Sequence, residues 1–407
     1  MGFAVFQFKR PQIANVRLTR TLEKIQINED ETCRVRLSVN NEGANDIPFL
    51  QIRDEIPRDI QGDNTRNGFS ITLRAGESRN LLYEVRGNYF GEYSIGPIVL
   101  SAQDSLGLVE TKERRNIVSK VVVFPKTAGK LTGFTIGPRT TRLRPGEIRA
   151  NRVGTGMDYF TTTQLLLGES AKRINWRASA RLAEKDELLS NKFTAQQVAE
   201  TLIVLDCRSD SGTSKDRKDS ITSYSVRAAM SLSERLLRDK NRVGFLAVGS
   251  VSQRVSPSYG RRQYDRIALT LARLEVGGRF SSESISSTIR YFYPRVSQVV
   301  LISPLMDYGN LDIALDLARG SRSFDLMIVS PNPLDFPLDR SPELSLKASR
   351  EGKIGWRLAK MERNTTITQL ETSGAIVLDW RVFVPFEQVV AAYRHMASRQ
   401  IARLARR

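Results

Sequence analysis

The chain has 407 residues, 40% of them apolar and 26% charged, a globular composition too hydrophobic for a disordered polymer. Lys and Arg number 62 against 44 Asp and Glu, a formal charge of +18, and no run approaches the ~18 consecutive apolar residues that cross a bilayer. One histidine, His395, and two distant cysteines, Cys33 and Cys207, argue against Ser-His-Asp hydrolysis, His-zinc chemistry, thiol metal clusters and a disulfide framework. The apolar start, Met1 to Phe8, is too short for a signal peptide and is followed rather than preceded by Lys9 and Arg10, so a cytoplasmic chain is expected.

The first third alternates as half-buried strands do. Runs at Ile13 to Thr19, Cys33 to Asn40, Ile47 to Arg53, Phe69 to Leu73, Asn80 to Val85, Tyr93 to Ala102 and Ile117 to Phe124 are separated by turn chemistry such as Asn41-Glu42-Gly43 and Ala75-Gly76-Glu77. Short strands at this spacing, with no helical period between them, predict an antiparallel β-sandwich of the immunoglobulin type over residues 1–125. Such a module usually presents a surface.

Residues 126–197 follow as a connector. Arg139, Arg142, Arg144, Arg149 and Arg152 stand there among Gly129, Gly133, Gly137, Pro138, Pro145 and Gly146, a composition that reads as a linker or an extended crossing segment.

From residue 198 to 407 the pattern changes. Apolar runs at Leu202 to Leu205, Val243 to Val248, Val299 to Ile302, Leu326 to Val329 and Ala375 to Leu378 are continuous, as strands covered on both faces require. Helical stripes lie between them: Tyr224, Ala228, Leu232 and Leu236, then Ile267, Leu271 and Leu274. This alternation predicts a doubly wound parallel sheet, giving α/β plus all-β overall. A last helix is expected over Phe386 to Arg403, its end charged by Arg394, Arg399 and Arg403.

Three stretches, in order, resemble domain-of-unknown-function family number fifty-eight, whose members couple a β-rich N-terminal region to a von Willebrand factor A-like domain. The first is Arg86-Gly87-Asn88-Tyr89-Phe90-Gly91-Glu92-Tyr93-Ser94-Ile95-Gly96-Pro97, continuing to Asp104-Ser105-Leu106-Gly107-Leu108. The second and most specific runs from Gly168-Glu169 through Arg173-Ile174-Asn175-Trp176-Arg177-Ala178-Ser179-Ala180-Arg181, with Glu169 and Asn175 where aspartates are usual. The third is Asp379-Trp380 after an apolar strand.

Arg173, Arg177 and Arg181 are spaced i, i+4 and i+8 around Trp176, which on one helix would put three guanidinium groups on one side. Such a surface could bind carboxylates or phosphates by forked hydrogen bonds. The structural alternative is an internal ion-pair lattice with Glu184, Asp186 and Glu187, and both readings stay open.

The resemblance to von Willebrand factor A-like domains implies a magnesium ion at the carboxyl ends of the strands, held by an aspartate and by serines two and four residues on. Here the strand ends Leu205-Asp206-Cys207-Arg208-Ser209-Asp210. Arg208 puts a fixed cation where the first serine belongs, Asp210 replaces the second, and Pro304 stands where a later aspartate is common. The site at Asp206 and Asp210 is therefore read as degenerate, with magnesium disfavoured and no cofactor expected. Arg208 could instead serve as a built-in counterion for either aspartate. Asp206, Ser209, Asp210, Ser303 and Asp307 would still gather at that edge by topology.

No Gly-x-x-x-x-Gly-Lys-Ser/Thr sequence is present, and no nucleophile stands beside a base. The expected function is a non-enzymatic protein-interaction or scaffold role. The family resemblance implies work with a MoxR-type AAA+ ATPase in assembling or remodelling complexes. The candidate partner-binding residues are Arg173, Trp176, Arg177, Arg181, Asp206, Ser209, Asp210 and Asp307. Peripheral binding of an anionic membrane surface through the basic charge is the alternative. Nucleic acid is disfavoured, because no stacking module accompanies the scattered cations.

Overall fold

A computed structural model describes residues 13–62, 66–104, 108–131, 148–166, 170–181, 188–197, 200–208, 220–249, 252–274, 285–305, 308–320, 324–332, 334 and 350–392. The chain divides into two units, Met1–Lys126 with Ala268–Leu274, and Thr127–Ile267 with Glu275–Arg407.

The first unit is all-β and sandwich-like. Its strands are β1 (Val16–Leu22), β2 (Gln26–Asn28), β3 (Thr32–Asn41), β4 (Ile47–Asp54), β5 (Gly68–Leu73), β6 (Ser78–Arg86), β7 (Gly91–Ile95), β8 (Ile98–Gln103), β9 (Glu110–Arg115) and β10 (Ser119–Phe124). They form sheets ordered β1-β3-β6, β5-β4-β8-β9 and β2-β10-β7. Pairing is antiparallel except between β2 and β10. Alternate residues of β1, β3, β4 and β8 turn inward, so Leu18, Leu37 and Val39 pack with Leu50, Ile52, Leu100 and Ala102.

The expected strand from Tyr93 to Ala102 is two strands, β7 and β8, broken at the cis peptide between Gly96 and Pro97. Gly96 has φ +110°, and a Cβ there would collide with the Ile117 carbonyl oxygen, so only glycine fits this corner. Gly87 is held to glycine by packing: a Cβ would sit 2.8 Å from Val123 Cγ1. The Asp104 carboxylate closes its own turn by accepting from the Leu108 and Val109 amides at 2.7 and 3.1 Å. The first family-like stretch is thus turn and packing chemistry.

Charge also enters this core. Arg20 is an inward position of β1 and Asp54 the inward end of β4, and both side chains are 0% exposed. Arg20 Nε donates to Asp54 Oδ2 at 2.9 Å and Nη2 to Oδ1 at 2.5 Å. The Tyr83 hydroxyl donates to Asp54 Oδ2 at 2.6 Å, and Arg20 Nη1 donates to the Ile95 and Ile117 carbonyls at 2.8 and 2.9 Å. Burial raises the Asp54 carboxyl above its ordinary pKa, against the pull of Tyr83 and Arg20. Burial and the adjacent carboxylate push the Tyr83 hydroxyl up.

In the second unit, residues read as a connector form a long strand, β11 (Ile148–Gln164), paired antiparallel with β12 (Leu189–Gln197) and shifted in register at three points. Further upstream, the Ala128 amide donates to the Arg227 carbonyl, and Ser231 Oγ donates to the Gly129 carbonyl at 3.0 Å. Ala128 and Gly129 of the expected linker are therefore bound to Arg227 and Ser231 of the α/β region. A four-residue helix, α1 (Trp176–Ser179), lies between β11 and β12 in the chain.

The remaining elements are β13 (Glu200–Asp206), α2 (Ile221–Arg238), β14 (Arg242–Val248), β15 (Gln253–Ser258), α3 (Arg261–Ala272), α4 (Ile285–Phe292), β16 (Gln298–Ile302), α5 (Tyr308–Gly320), β17 (Asp325–Pro331), α6 (Arg350–Thr372) and β18 (Ile376–Trp380). They build one six-stranded sheet ordered β15-β14-β13-β16-β17-β18. Five strands are parallel, but β15 pairs antiparallel with β14. This corrects the expectation of a parallel sheet: the sheet is mixed, with a polar, half-exposed strand at its edge.

Every residue of β13 is buried. Leu202 and Val204 join one core with Ile285, Ile289, Ile313 and Leu317 of α4 and α5, so Ile203 and Leu205 face the other side. Ser220 starts α2 by accepting from the Ser223 amide, and Ala228, Leu232 and Leu236 of its expected stripe are buried. Most of the helix expected over Phe386 to Arg403 lies outside the described residues; Phe386 and Val390 are buried.

Candidate functional site

The parallel register brings the carboxyl ends of the strands to one level. Leu205 is opposite Ile302, Ile302 opposite Val329, and Ser330 opposite Asp379. The chain leaves β13 toward β14 on one side and continues through β16 on the other. Asp206 and Ser303 therefore flank the point where strand order reverses, the natural crevice of an open sheet of this kind.

At this crevice the described side chains bond to one another. Arg208 Nε and Nη2 donate to Asp206 Oδ1 and Oδ2 at 3.1 and 3.2 Å, in a two-pronged pair. The Arg208 amide donates to Oδ1 at 3.2 Å, and Ser303 Oγ donates to Oδ2 at 3.0 Å. The Asp206 side chain is 1% exposed and that of Arg208 15%. Each such charge-assisted bond contributes ~1.5–3 kcal/mol against leaving the carboxylate bare. Arg208 is thus the built-in counterion of Asp206.

A second arginine continues the closure. Arg363 of α6, buried, donates from Nη1 to the Pro304 carbonyl at 2.7 Å. Its Nη2 donates to Ser330 Oγ at 2.9 Å and to Asp379 Oδ1 at 2.6 Å. Asn332 Nδ2 donates to the other oxygen of Asp379 at 3.3 Å. Between the two arginines, Leu305 is buried with φ +50°, a left-handed conformation that costs roughly 1–2 kcal/mol in a residue with a Cβ. The rim therefore runs unbroken from Arg208 through Asp206, Ser303, Pro304 and Arg363 to Asp379. Trp380 anchors it from below, donating Nε1 to the Val384 carbonyl at 2.9 Å and packing on Phe386 and Tyr224.

Cys207, next to Asp206, is buried. Burial, followed by the neighbouring carboxylate, pushes its thiol up, leaving less thiolate than a free cysteine would have.

The Trp176 segment corrects one expectation. Residues 171–173 form a single 3-10 turn, Ile174 is extended and bridges to Ser190, and α1 starts afresh at Trp176. Arg173, Arg177 and Arg181 thus do not follow one another along one helix. The break has a local cause. Asn175 caps α1, its Oδ1 accepting from the Ala178 amide at 3.0 Å, while its Nδ2 donates to Asn191 Oδ1 at 2.9 Å. Ser179 Oγ donates to the Asn175 carbonyl and accepts from the Leu189 amide, both at 2.9 Å. Asn175 and Ser179 bind the signature to β12 by hydrogen bonds. Trp176 is left 66% exposed, with Arg177 and Arg181 also exposed.

The predicted residues thus fall into two places. Asp206 lies in the rim, and Trp176, Arg177 and Arg181 lie on the surface of the signature segment. Ser209, Asp210 and Asp307, the Arg173 side chain, and Glu184, Asp186 and Glu187 lie outside the described residues. Sequence reasoning missed Arg363 and Ser330, which no spacing rule connects to Asp206. Asp379-Trp380 was the one pointer toward their strand end.

The described donors do not fit a magnesium ion: a guanidinium sits against both oxygens of Asp206, and a serine hydroxyl donates to one of them. Among the described residues no group of three His, Cys, Asp or Glu is placed to hold a metal. Calorimetric titration with millimolar magnesium is expected to show no saturable heat, and a site tighter than about 100 μM would overturn that. Among the described residues no helix is long and apolar enough to cross a membrane.

A family model described as "Protein of unknown function DUF58" matches residues 163–348. No curated protein matches the chain. Among solved structures, the CARDB domain of a Pyrococcus furiosus protein in complex with di-metal ions is 18% identical, with 26% of this chain and 93% of that one covered and a TM-score of 0.20. Native alpha-2-macroglobulin from Escherichia coli, from domain MG7 to the C-terminus, is 16% identical over 28% of this chain and 17% of that one, with a TM-score of 0.23. The cupredoxin domain of amoB from Nitrosocaldus yellowstonii is 12% identical over 30% and 94%, with a TM-score of 0.20. At these TM-scores none of the three bears on fold or function.

Proposed function

We propose that this chain, which carries a DUF58 domain over residues 163–348, is a non-enzymatic protein-recognition and scaffold protein. In this reading an immunoglobulin-type sandwich is joined to a von Willebrand factor A-like platform. The observation that carries the reading is the closed rim: the position where such a platform would hold an ion is taken by Arg208, and the strand ends beyond it by Arg363. Among the described residues, the edge charges Asp206 and Asp379 are spent on Arg208 and Arg363, which supports a rigid platform better than a reaction centre.

Of the residues expected to bind a partner, Trp176, Arg177 and Arg181 are exposed. An exposed tryptophan beside guanidinium groups is the composition from which interface anchors are made. The partner that the family resemblance implies is a MoxR-type AAA+ ATPase, engaged in assembling or remodelling complexes. The test is titration of the purified chain with a purified MoxR-type ATPase, with and without ATP. A saturable complex is expected, weakened at least about tenfold by Trp176→Ala or Arg177→Ala. No complex at about 100 μM would sink the ATPase assignment, and a complex indifferent to both changes would sink the surface. Salt-sensitive sedimentation with anionic vesicles would favour the membrane alternative, which rests on the charge of +18.

A further inference from the structure

Helix α6 buries one side, where Arg363 and Leu370 are the buried residues among those described. At ~100° per residue the opposite side is centred on Ile354, Leu358 and Met361, spaced i, i+4 and i+7. These three are 60%, 56% and 67% exposed, an apolar stripe on the side of the helix that its own sheet does not use. The stripe continues through Thr365 and Thr368 at the next two seam positions. Their hydroxyls bend back to the Met361 and Asn364 carbonyls at 3.0 and 2.9 Å, so each threonine satisfies its polar group within the helix.

The spacing 354, 358, 361, 365, 368 is the alternating four-three step of a coiled-coil seam. Counted in heptads, Arg357 falls at a g position and Glu362 at the e position five residues later. Both are exposed, and neither makes an ion pair with another described residue. In a parallel two-stranded coil the g residue of one helix meets the e residue five on in its partner. Two copies of α6 therefore pair Arg357 with Glu362 twice, once on each side of the seam. An antiparallel arrangement brings like positions together and forfeits both pairs.

We propose that α6 is a self-complementary seam through which two copies of this chain associate, with their α6 helices parallel about a two-fold axis. The occupant is a second copy because the charges flanking the stripe complement themselves in that arrangement. The seam from Ile354 to Thr368 is only about 22 Å long and includes two threonines. Association is therefore weak, with a dissociation constant of about 10–100 μM.

Sedimentation velocity on the full chain, from about 1 to 300 μM, is expected to show the mass doubling across that range. Leu358→Glu should abolish the doubling while circular dichroism and melting stay unchanged, since the side chain is exposed. Arg357→Glu alone and Glu362→Arg alone should each weaken association at least about fivefold, and the doubly reversed variant should recover to within about twofold of the original. Met361→Cys should form an intermolecular disulfide on oxidation, because the same seam position faces itself in a parallel coil; Cys33 and Cys207 are buried and do not compete. A monomer at every concentration would overturn the proposal, as would a dimer indifferent to Leu358→Glu. So would a double charge reversal that does not restore association. If Leu358→Glu destabilises a monomer, another segment of the same chain covers the stripe, and the proposal falls.

Discussion

Arg20→Ala is expected to destabilise the N-terminal unit by about 3–5 kcal/mol, the range for removing one partner of a buried ion pair. The Asp54 carboxylate would be left fully enclosed with only the Tyr83 hydroxyl and no cation. The Ile95 and Ile117 carbonyls would lose their donor as well. The effect is best read by amide hydrogen exchange in β3, which reports opening of that unit whatever the second unit does. Exchange should accelerate roughly a hundredfold to a few thousandfold. The double replacement Arg20→Met with Asp54→Leu decides whether the pair or its isolated charges matter. With no charge left to desolvate, the double variant should be more stable than either single one. A double variant as unstable as the sum of the singles would show that the two side chains act independently and that no isolated buried charge explains the single losses.

The two halves of the molecule were legible to different degrees, for identifiable reasons. Strands β13, β14, β16 and β17 could be read from continuous apolar runs, because burial on both faces leaves no polar position in mid-strand. Strands β9 and β15 were invisible. Glu110 to Arg115 is almost wholly charged and Gln253 to Ser258 largely polar, and each forms the edge of its sheet, where one side has no neighbouring strand to demand an apolar pattern. The charged pair in the sandwich did leave a trace. In Val16-Arg17-Leu18-Thr19-Arg20 the second arginine falls on the inward parity, as Asp54 does after Leu50 and Ile52. An inward charge on an alternating strand is a signal that a buried partner exists.

The rim was half legible. Asp206 and Arg208 are neighbours in sequence, so their pairing could be anticipated as a counterion. Arg363 lies on a helix whose part at the rim depends on how α6 crosses the sheet, which no local pattern encodes. In the Trp176 segment the arginine spacing suggested a helix, but Asn175 is a better cap than a mid-helix residue. Its side chain restarts the backbone there, and the signature becomes a hydrogen-bonded staple with an exposed tryptophan.

The second large effect is expected at the far end of that rim. Arg363→Met keeps much of the side chain's length and removes its five donors. The Pro304 carbonyl and Ser330 would then lack their partner in a buried setting, at about 1–3 kcal/mol for each group left unsatisfied. Asp379 suffers less, because its side chain is 35% exposed and water can reach it. The expected loss is therefore about 2–4 kcal/mol, concentrated where β16, β17 and β18 end. Relief at Leu305 offsets part of it: once Pro304 is released, the residue can leave its left-handed conformation. Arg363→Lys should fall between, since one ammonium cannot serve Pro304, Ser330 and Asp379 at once. Amide exchange at Ser303, whose N–H is bonded to the Val329 carbonyl at 3.1 Å, reads the local opening directly. If Arg363→Met leaves that amide as protected as before, the arginine only covers the rim, and Asp206 with Arg208 holds the strand ends without it.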